Sequence, residues 1–179
     1  AFHTGAGAVI NEVFDYADKI IYQYGRGNWP MSQEILHKCH AVEIQLGQGA
    51  YGGVGYIMKS ELINEQLRKE FKIPKGKDLI TYSRQPEVQN PEDLKKLVDK
   101  LRNITDGVPI GVKIAAGKYL EADLYWICKS GVDFIVVDGA EAATKGSPPI
   151  LQDDFGVPTV FAVDRAARWM EKHGYKDRI

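Results

Sequence analysis

Short, almost wholly apolar runs rich in Val and Ile alternate with amphipathic stretches through the second half of the chain. That alternation is the signature of βαβ units whose strands are buried on both faces. Between 91 and 102 the apolar residues Leu94, Leu97, Val98 and Leu101 fall at helical spacing, with Asn90 placed to cap the first turn and Pro91 to open it. Gly107 and Pro109 end this helix and release a strand over 110–115. The pattern recurs as a helix over 121–129, stopped by Ser130 and Gly131, and a buried strand over 133–137 closed by Asp138 and Gly139. A third unit starts near Ile150, breaks at Gly156 and Pro158, and predicts a strand over 159–163, after which Asp164 would cap a last helix carrying Ala166, Ala167, Trp169 and Met170. Upstream, 20–24 and 41–46 read as two more strands with a helix over 32–37 between them.

Five strands, all parallel, separated by helices predict an α/β fold, a parallel (β/α) TIM-type barrel. A complete (β/α)8 barrel takes about 250 residues and eight strands. Five strands in 179 residues therefore imply an open sheet or an incomplete barrel, and the loop-like start and terminal helix favour the incomplete barrel. The chain reads as a single domain, 1–179, with a long glycine-rich and polar insertion at 47–89 that includes a helical stretch over 60–70. Connections of that length carry function more often than not, and the segments that follow the strands form the ligand-binding face in either architecture.

Composition narrows the function. Twenty-three basic against twenty-four acidic side chains leave a formal net charge of -1, so no global field draws the chain to nucleic acid or to an anionic membrane. No apolar run approaches the roughly 18 to 20 residues of a membrane span, and no charged stretch followed by an apolar one opens the chain. Cys39 and Cys128 lack metal-site or disulfide spacing, which suits a reducing, cytoplasmic location.

Against this background, AVEIQLGQGAYGGVG at 41–55 resembles the stretch AIEIKIGQGAKPGEGG of the FMN domain of glutamate synthases. Further blocks follow in family order. Thr4 to Gly7 resembles the TGEGG loop, YQYGRGNW at 22–29 the QYxSGRFG stretch, and GVKI at 111–114 the flavin-contacting VKL strand. DGAEAATKGSP at 138–148 is similar to DGxxGGTGASP, and 156–162 to GIPTxxA. The blocks span nearly the whole chain, and related FMN subunits that make N-methylglutamate share many of them. The resemblance implies a flavin-binding (β/α)8 barrel and FMN as cofactor. The cysteine cluster of an iron-sulfur centre and the late glycine-rich loop that grips the flavin phosphate have no counterpart at 1–179, so any iron-sulfur cluster would be carried outside this chain.

The departures fall on the substrate half of the site. The glutamate of TGEGG corresponds to Ala6, and the two lysines of IKIGQGAK, which in the family hold an oxo acid, correspond to Gln45 and Tyr51. Losing two cationic donors from a dicarboxylate site removes charge-assisted hydrogen bonds of about 1.5 to 3 kcal/mol each. The paired glycines of DGxxGGTG become Ala142 and Ala143, adding methyl groups where a backbone would approach a cofactor.

The candidate cofactor-binding residues are Lys113, Gln48, Asp138, Gly139, Thr144, Thr4 and Gly5; Gln45 and Tyr51 are the candidate substrate-binding residues. Lys113 sits inside an apolar strand, where an unpaired ammonium is expensive to bury. Either it serves the flavin N1 and O2 edge, as the resemblance favours, or it pairs with a carboxylate such as Asp138. Asp138 could accept from a ligand or brace its loop, Gln48 could offer an amide or bond local backbone, and Thr4 with Gly5 could turn backbone N–H groups toward an anion or ring. The cluster His37, Lys38, Cys39, His40 reads as a helix end rather than a metal site. Tyr119, Tyr125 and Trp126 read as core aromatics, and the Lys and Glu run 65–77 as a solvated helix and its exit.

The resulting expectation is an FMN-dependent oxidoreductase domain or subunit acting on an amino or imino acid or other small anion through an altered substrate site. Its partners would be a small-molecule substrate, an electron-donor subunit, and the remaining barrel strands or a second copy. The alternative is a non-catalytic barrel domain retained for assembly or ligand sensing.

Overall fold

The computed structural model describes residues 1–5, 7, 9, 12–49, 53–142, 147–177 and 179. Five parallel strands form one curled sheet in sequential order: β1 (Phe2–His3), β2 (Ile20–Tyr24), β3 (Ala41–Gln45), β6 (Ile110–Ala115) and β7 (Phe134–Asp138). The architecture is α/β, an incomplete TIM-type barrel. Five helices follow or connect these strands: α1 (Val13–Tyr16), α2 (Gln33–Lys38), α4 (Pro91–Ile104), α5 (Leu120–Lys129) and α7 (Thr159–Lys172). Within 47–89, β4 (Tyr56–Met58) and β5 (Leu79–Thr81) make an antiparallel pair, with α3 (Glu65–Phe71) between them. A short helix, α6 (Pro149–Asp153), precedes α7.

Local chemistry explains the helix limits. Asn90 accepts the Asp93 N–H at 2.9 Å, Pro91 occupies the first turn of α4, and Gly107 (φ 92°) follows its end. The convex face of the sheet is the core. Ile20, Tyr22, Val42, Ile44, Ile110, Val112 and Ile114 pack there beneath Leu36 of α2, Leu94 to Leu101 of α4, and Leu120, Leu124 and Ile127 of α5. α3 has no buried residue among those described and is a solvated helix, as its charges predict.

Three expectations need correction. The predicted strand over 159–163 is the first turn and a half of α7, which Pro158 precedes, so Asp164 lies inside the helix and pairs with Arg168 rather than capping it. A short apolar run does not distinguish strand from helix. Here Ala162 and Ala166 are buried one turn apart while Val160, Phe161 and Val163 are exposed, which is helical spacing. The fifth strand is instead Phe2–His3, hydrogen-bonded to β2 through Phe2 N to Lys19 O at 2.7 Å and Thr4 N to Ile21 O at 3.1 Å. Finally, Tyr119, Tyr125 and Trp126 are exposed, Trp126 to 46%. Leu120, Leu124 and Ile127 occupy the buried stripe of α5 and turn these aromatics outward.

Leu101, fully buried under the sheet, should lose about 2–5 kcal/mol of stability on replacement by Ala. The exposed Trp126 should lose less than about 1 kcal/mol. Urea denaturation of the two variants checks this, and the reverse order would refute the placing of Leu101 of α4 in the core and of Trp126 on the outer side of α5.

Candidate functional site

Successive strand residues point to opposite faces, and register partners share one face. Gln23 is paired with Glu43, Glu43 with Gly111, Gln45 with Lys113, and Ala115 with Asp138. With the apolar set committed to the convex side, these polar residues occupy the concave side, the inside of the barrel. Sequence reasoning identified Gln45, Lys113 and Asp138 there, and the structure brings them onto one face.

Lys113 Nζ lies 3.2 Å from Asp138 Oδ2, and both side chains are more than four-fifths buried. This is the carboxylate partner that an ammonium in a strand needs. The contact is an ion pair without hydrogen-bond geometry, and among the described residues no hydrogen-bond donor reaches the buried Asp138 Oδ2. Gln45, 3% exposed, donates from Nε2 to Gln48 Oε1 at 2.9 Å, and its own Oε1 is also buried without a donor among the described residues. Two acceptors therefore stand on the inner face with unused capacity, at a cost unless a ligand or water supplies N–H or O–H groups.

A second cluster on this face was missed by sequence reasoning. Glu43, 3% exposed, accepts from Gln23 Nε2 at 2.5 Å, and His3 Nε2 lies 3.2 Å from the same Oε1. Gly5 N–H donates to His3 Nδ1 at 3.1 Å, which leaves Nε2 as the protonated nitrogen facing the carboxylate. The signal was present, since a charge inside the apolar run AVEIQ is as conspicuous as Lys113 in GVKI.

The remaining candidates divide. Thr4 Oγ1 accepts the Gln23 N–H at 3.0 Å and donates to Gly5 O at 3.0 Å, tying β1 to β2. Gly5 has φ 65°, and a Cβ built there would meet nothing within 4 Å, so conformation rather than crowding favours glycine. At Gly139 a Cβ would stand 2.6 Å from the Thr159 backbone nitrogen; the missing side chain admits the start of α7. Tyr51 and Thr144, with Ala6 and Ala143, lie outside the described residues. The His37 to His40 cluster forms the end of α2. Cys39 Sγ donates to Leu36 O, and His40 Nδ1 accepts from Ile20 N. Burial pushes the thiols of Cys39 and Cys128 up to about 11, which keeps them protonated and unreactive at neutral pH. Among the described residues no helix is long and apolar enough to cross a membrane.

Comparison with known sequences agrees with the geometry. The family described as "Conserved region in glutamate synthase" matches residues 1–179. The chain is 32% identical over 177 residues to the archaeal glutamate synthase [NADPH] of Methanocaldococcus jannaschii, covering 98% of this chain and 35% of that protein. It is 31% identical over 176 residues to the archaeal-type glutamate synthase [NADPH] of Thermotoga maritima, again 98% of this chain and 35% of the relative. A glutamate synthase large subunit-like protein of Rhizobium meliloti is 28% identical over 178 residues, 98% of this chain and 40% of its own length. The chain thus spans little more than a third of the relatives it matches.

Replacing Glu43 by Leu would strand the Gln23 amide and the His3 ring without an acceptor. It should cost about 1–3 kcal/mol, whereas Glu43→Gln, which keeps an acceptor oxygen, should cost less. Denaturation midpoints of both variants test this; equal midpoints for the Leu variant and the parent would show that the network contributes nothing.

Proposed function

This chain belongs to the glutamate synthase family, and from that premise we propose that it is an FMN-dependent oxidoreductase domain or subunit that acts on an amino or imino acid or other small anion. The observation that carries the reading is the Lys113–Asp138 pair on the inner face, at the position of the family's flavin-contacting strand.

The polar groups suit a flavin. Its pyrimidine ring offers both an N–H donor and carbonyl acceptors, and the face supplies the complement: an ammonium at Lys113, an amide at Gln48, and the buried, unfilled acceptors Gln45 Oε1 and Asp138 Oδ2. Lys113, Asp138 and Gln48 are the residues that would hold it, with Gly139, Thr4 and Gly5 as further candidates. FMN, when bound, supplies hydride transfer, and the protein contributes binding, orientation and electrostatics. Lys113 brings a cation held in place by Asp138, which favours an electron-rich ring edge. The sheet and helices α4 and α5 keep water from the convex side.

The substrate half differs from the parental pattern. Gln45 is neutral and already engages Gln48, so it cannot supply the charge that a lysine would give to an oxo-acid carboxylate. The substrate is therefore expected to differ from 2-oxoglutarate. Electrons would come from a donor domain or subunit outside 1–179, together with the remaining barrel strands.

A visible absorption spectrum of the full-length protein, followed by denaturation, should release FMN; Lys113→Met should weaken flavin binding at least tenfold and, because it strands the buried Asp138 carboxylate, also lower the melting temperature. A colourless protein that also fails to take up added FMN would overturn the oxidoreductase reading and leave a non-catalytic barrel.

A further inference from the structure

Arg26 is the one cation among the buried residues described, with 3% of its surface exposed. It follows β2 by two positions, at the C-terminal end of the strand where barrels bind their ligands. A guanidinium buried this far ordinarily meets a carboxylate, because an uncompensated charge is costly. Among the described residues no acidic side chain forms an ion pair with it, and the remaining residues include no Asp or Glu. Among the described residues its one side-chain hydrogen bond runs from Nη1 to Ser83 O at 2.8 Å, and Nε is buried with no partner there. Burial lowers its pKa, with no opposing charge to offset the effect.

A purely architectural role does not require this charge. The Gly25–Asn28 stretch is already tied to the β5 side of the hairpin by Tyr82 N to Arg26 O and Asn28 N to Ile80 O, both at 2.8 Å. The Asn28 side chain bonds Asp78 O and Ile80 N, and Gln85 Nε2 bonds Gly25 O at 3.0 Å. None of these involves the guanidinium. Neither Nε nor Nη2 donates to a described residue, and their parallel N–H bonds match two oxygens of one planar anion. Gly25, Gly27, Tyr82 and Gln85, which flank Arg26 in the chain or in the hairpin, line an adjacent open cleft together with Glu87.

We propose that Arg26 is a carboxylate-binding residue, the anchor for one carboxylate of a small ligand at the end of β2. A carboxylate matches the single positive charge, whereas a phosphate carries about 1.5 to 2 negative charges at neutral pH and would overcompensate it. The assignment goes beyond the flavin reading and holds whether or not FMN is bound.

The test is a titration of the full-length protein with acetate and, separately, inorganic phosphate at constant ionic strength. It is followed by the Arg26 Nε–H NMR resonance, identified by its loss in Arg26→Met; flavin content is recorded on the same sample. Acetate should shift the resonance saturably. By calorimetry, Arg26→Met should weaken acetate binding at least tenfold and Arg26→Lys should not restore it, because an ammonium lacks the paired donors. The melting temperature of Arg26→Met should stay level or rise, since an unpaired buried charge is removed; a merely structural arginine would lower it. The proposal is overturned if neither anion moves the resonance, if only phosphate does, or if Arg26→Met binds acetate as the parent does. If the Met variant does not fold, Arg26→Lys provides the resonance assignment and the titration of the parent protein decides.

Discussion

Alternation of side chains across a parallel strand is the constraint on which the rest of this structure depends. The convex face of the sheet is sealed by α2, α4 and α5 with Val, Ile and Leu, so each strand has one register in which its apolar set is buried. A slip of one residue in β3 would drive Glu43 and Gln45 under the helices and bring Val42 and Ile44 inside the barrel. The apolar face fixes the register, and the register places Gln23 beside Glu43 and Gln45 beside Lys113. The site is in this sense a consequence of the core: hydrophobic burial on one side positions polar groups on the other to within hydrogen-bonding distance.

The fold was legible where periodicity was sustained. α4 carries four apolar residues at helical spacing between a capping Asn and a terminating Gly, and the structure follows that pattern nearly residue for residue. The strands at 20–24, 41–45 and 110–115 were legible because β-branched residues crowd them. Two places were not. Phe2–His3 is too short to show a period, and its strand character comes from pairing with β2. The run Thr159 to Val163 is apolar on more than one side, so its helical character is visible only with the later Ala166 and Trp169, which continue the inward-facing stripe.

The site was legible residue by residue but not as an assembly. A lysine within GVKI stands out because burying its charge requires a partner, and the partner named from the sequence, Asp138, is the one the structure supplies. Glu43 obeys the same logic, but its partners come from strands roughly twenty and forty residues upstream. Only the register reveals that His3 and Gln23 converge on it. The exposed aromatics of α5 were misread for a related reason. Residue type argues for burial, whereas position on the helix decides it, and Leu120, Leu124 and Ile127 already fill the inward stripe.

Charge pairing separates the inner face from the strand-end position of Arg26. Lys113 is matched by Asp138, and the Glu43 carboxylate is held by two donors, so each cluster meets its main electrostatic demand within the chain. What those clusters leave unfilled is hydrogen-bond acceptance, at Gln45 Oε1 and Asp138 Oδ2. At the end of β2 the deficit has the opposite sign: a buried cation with donors to spare.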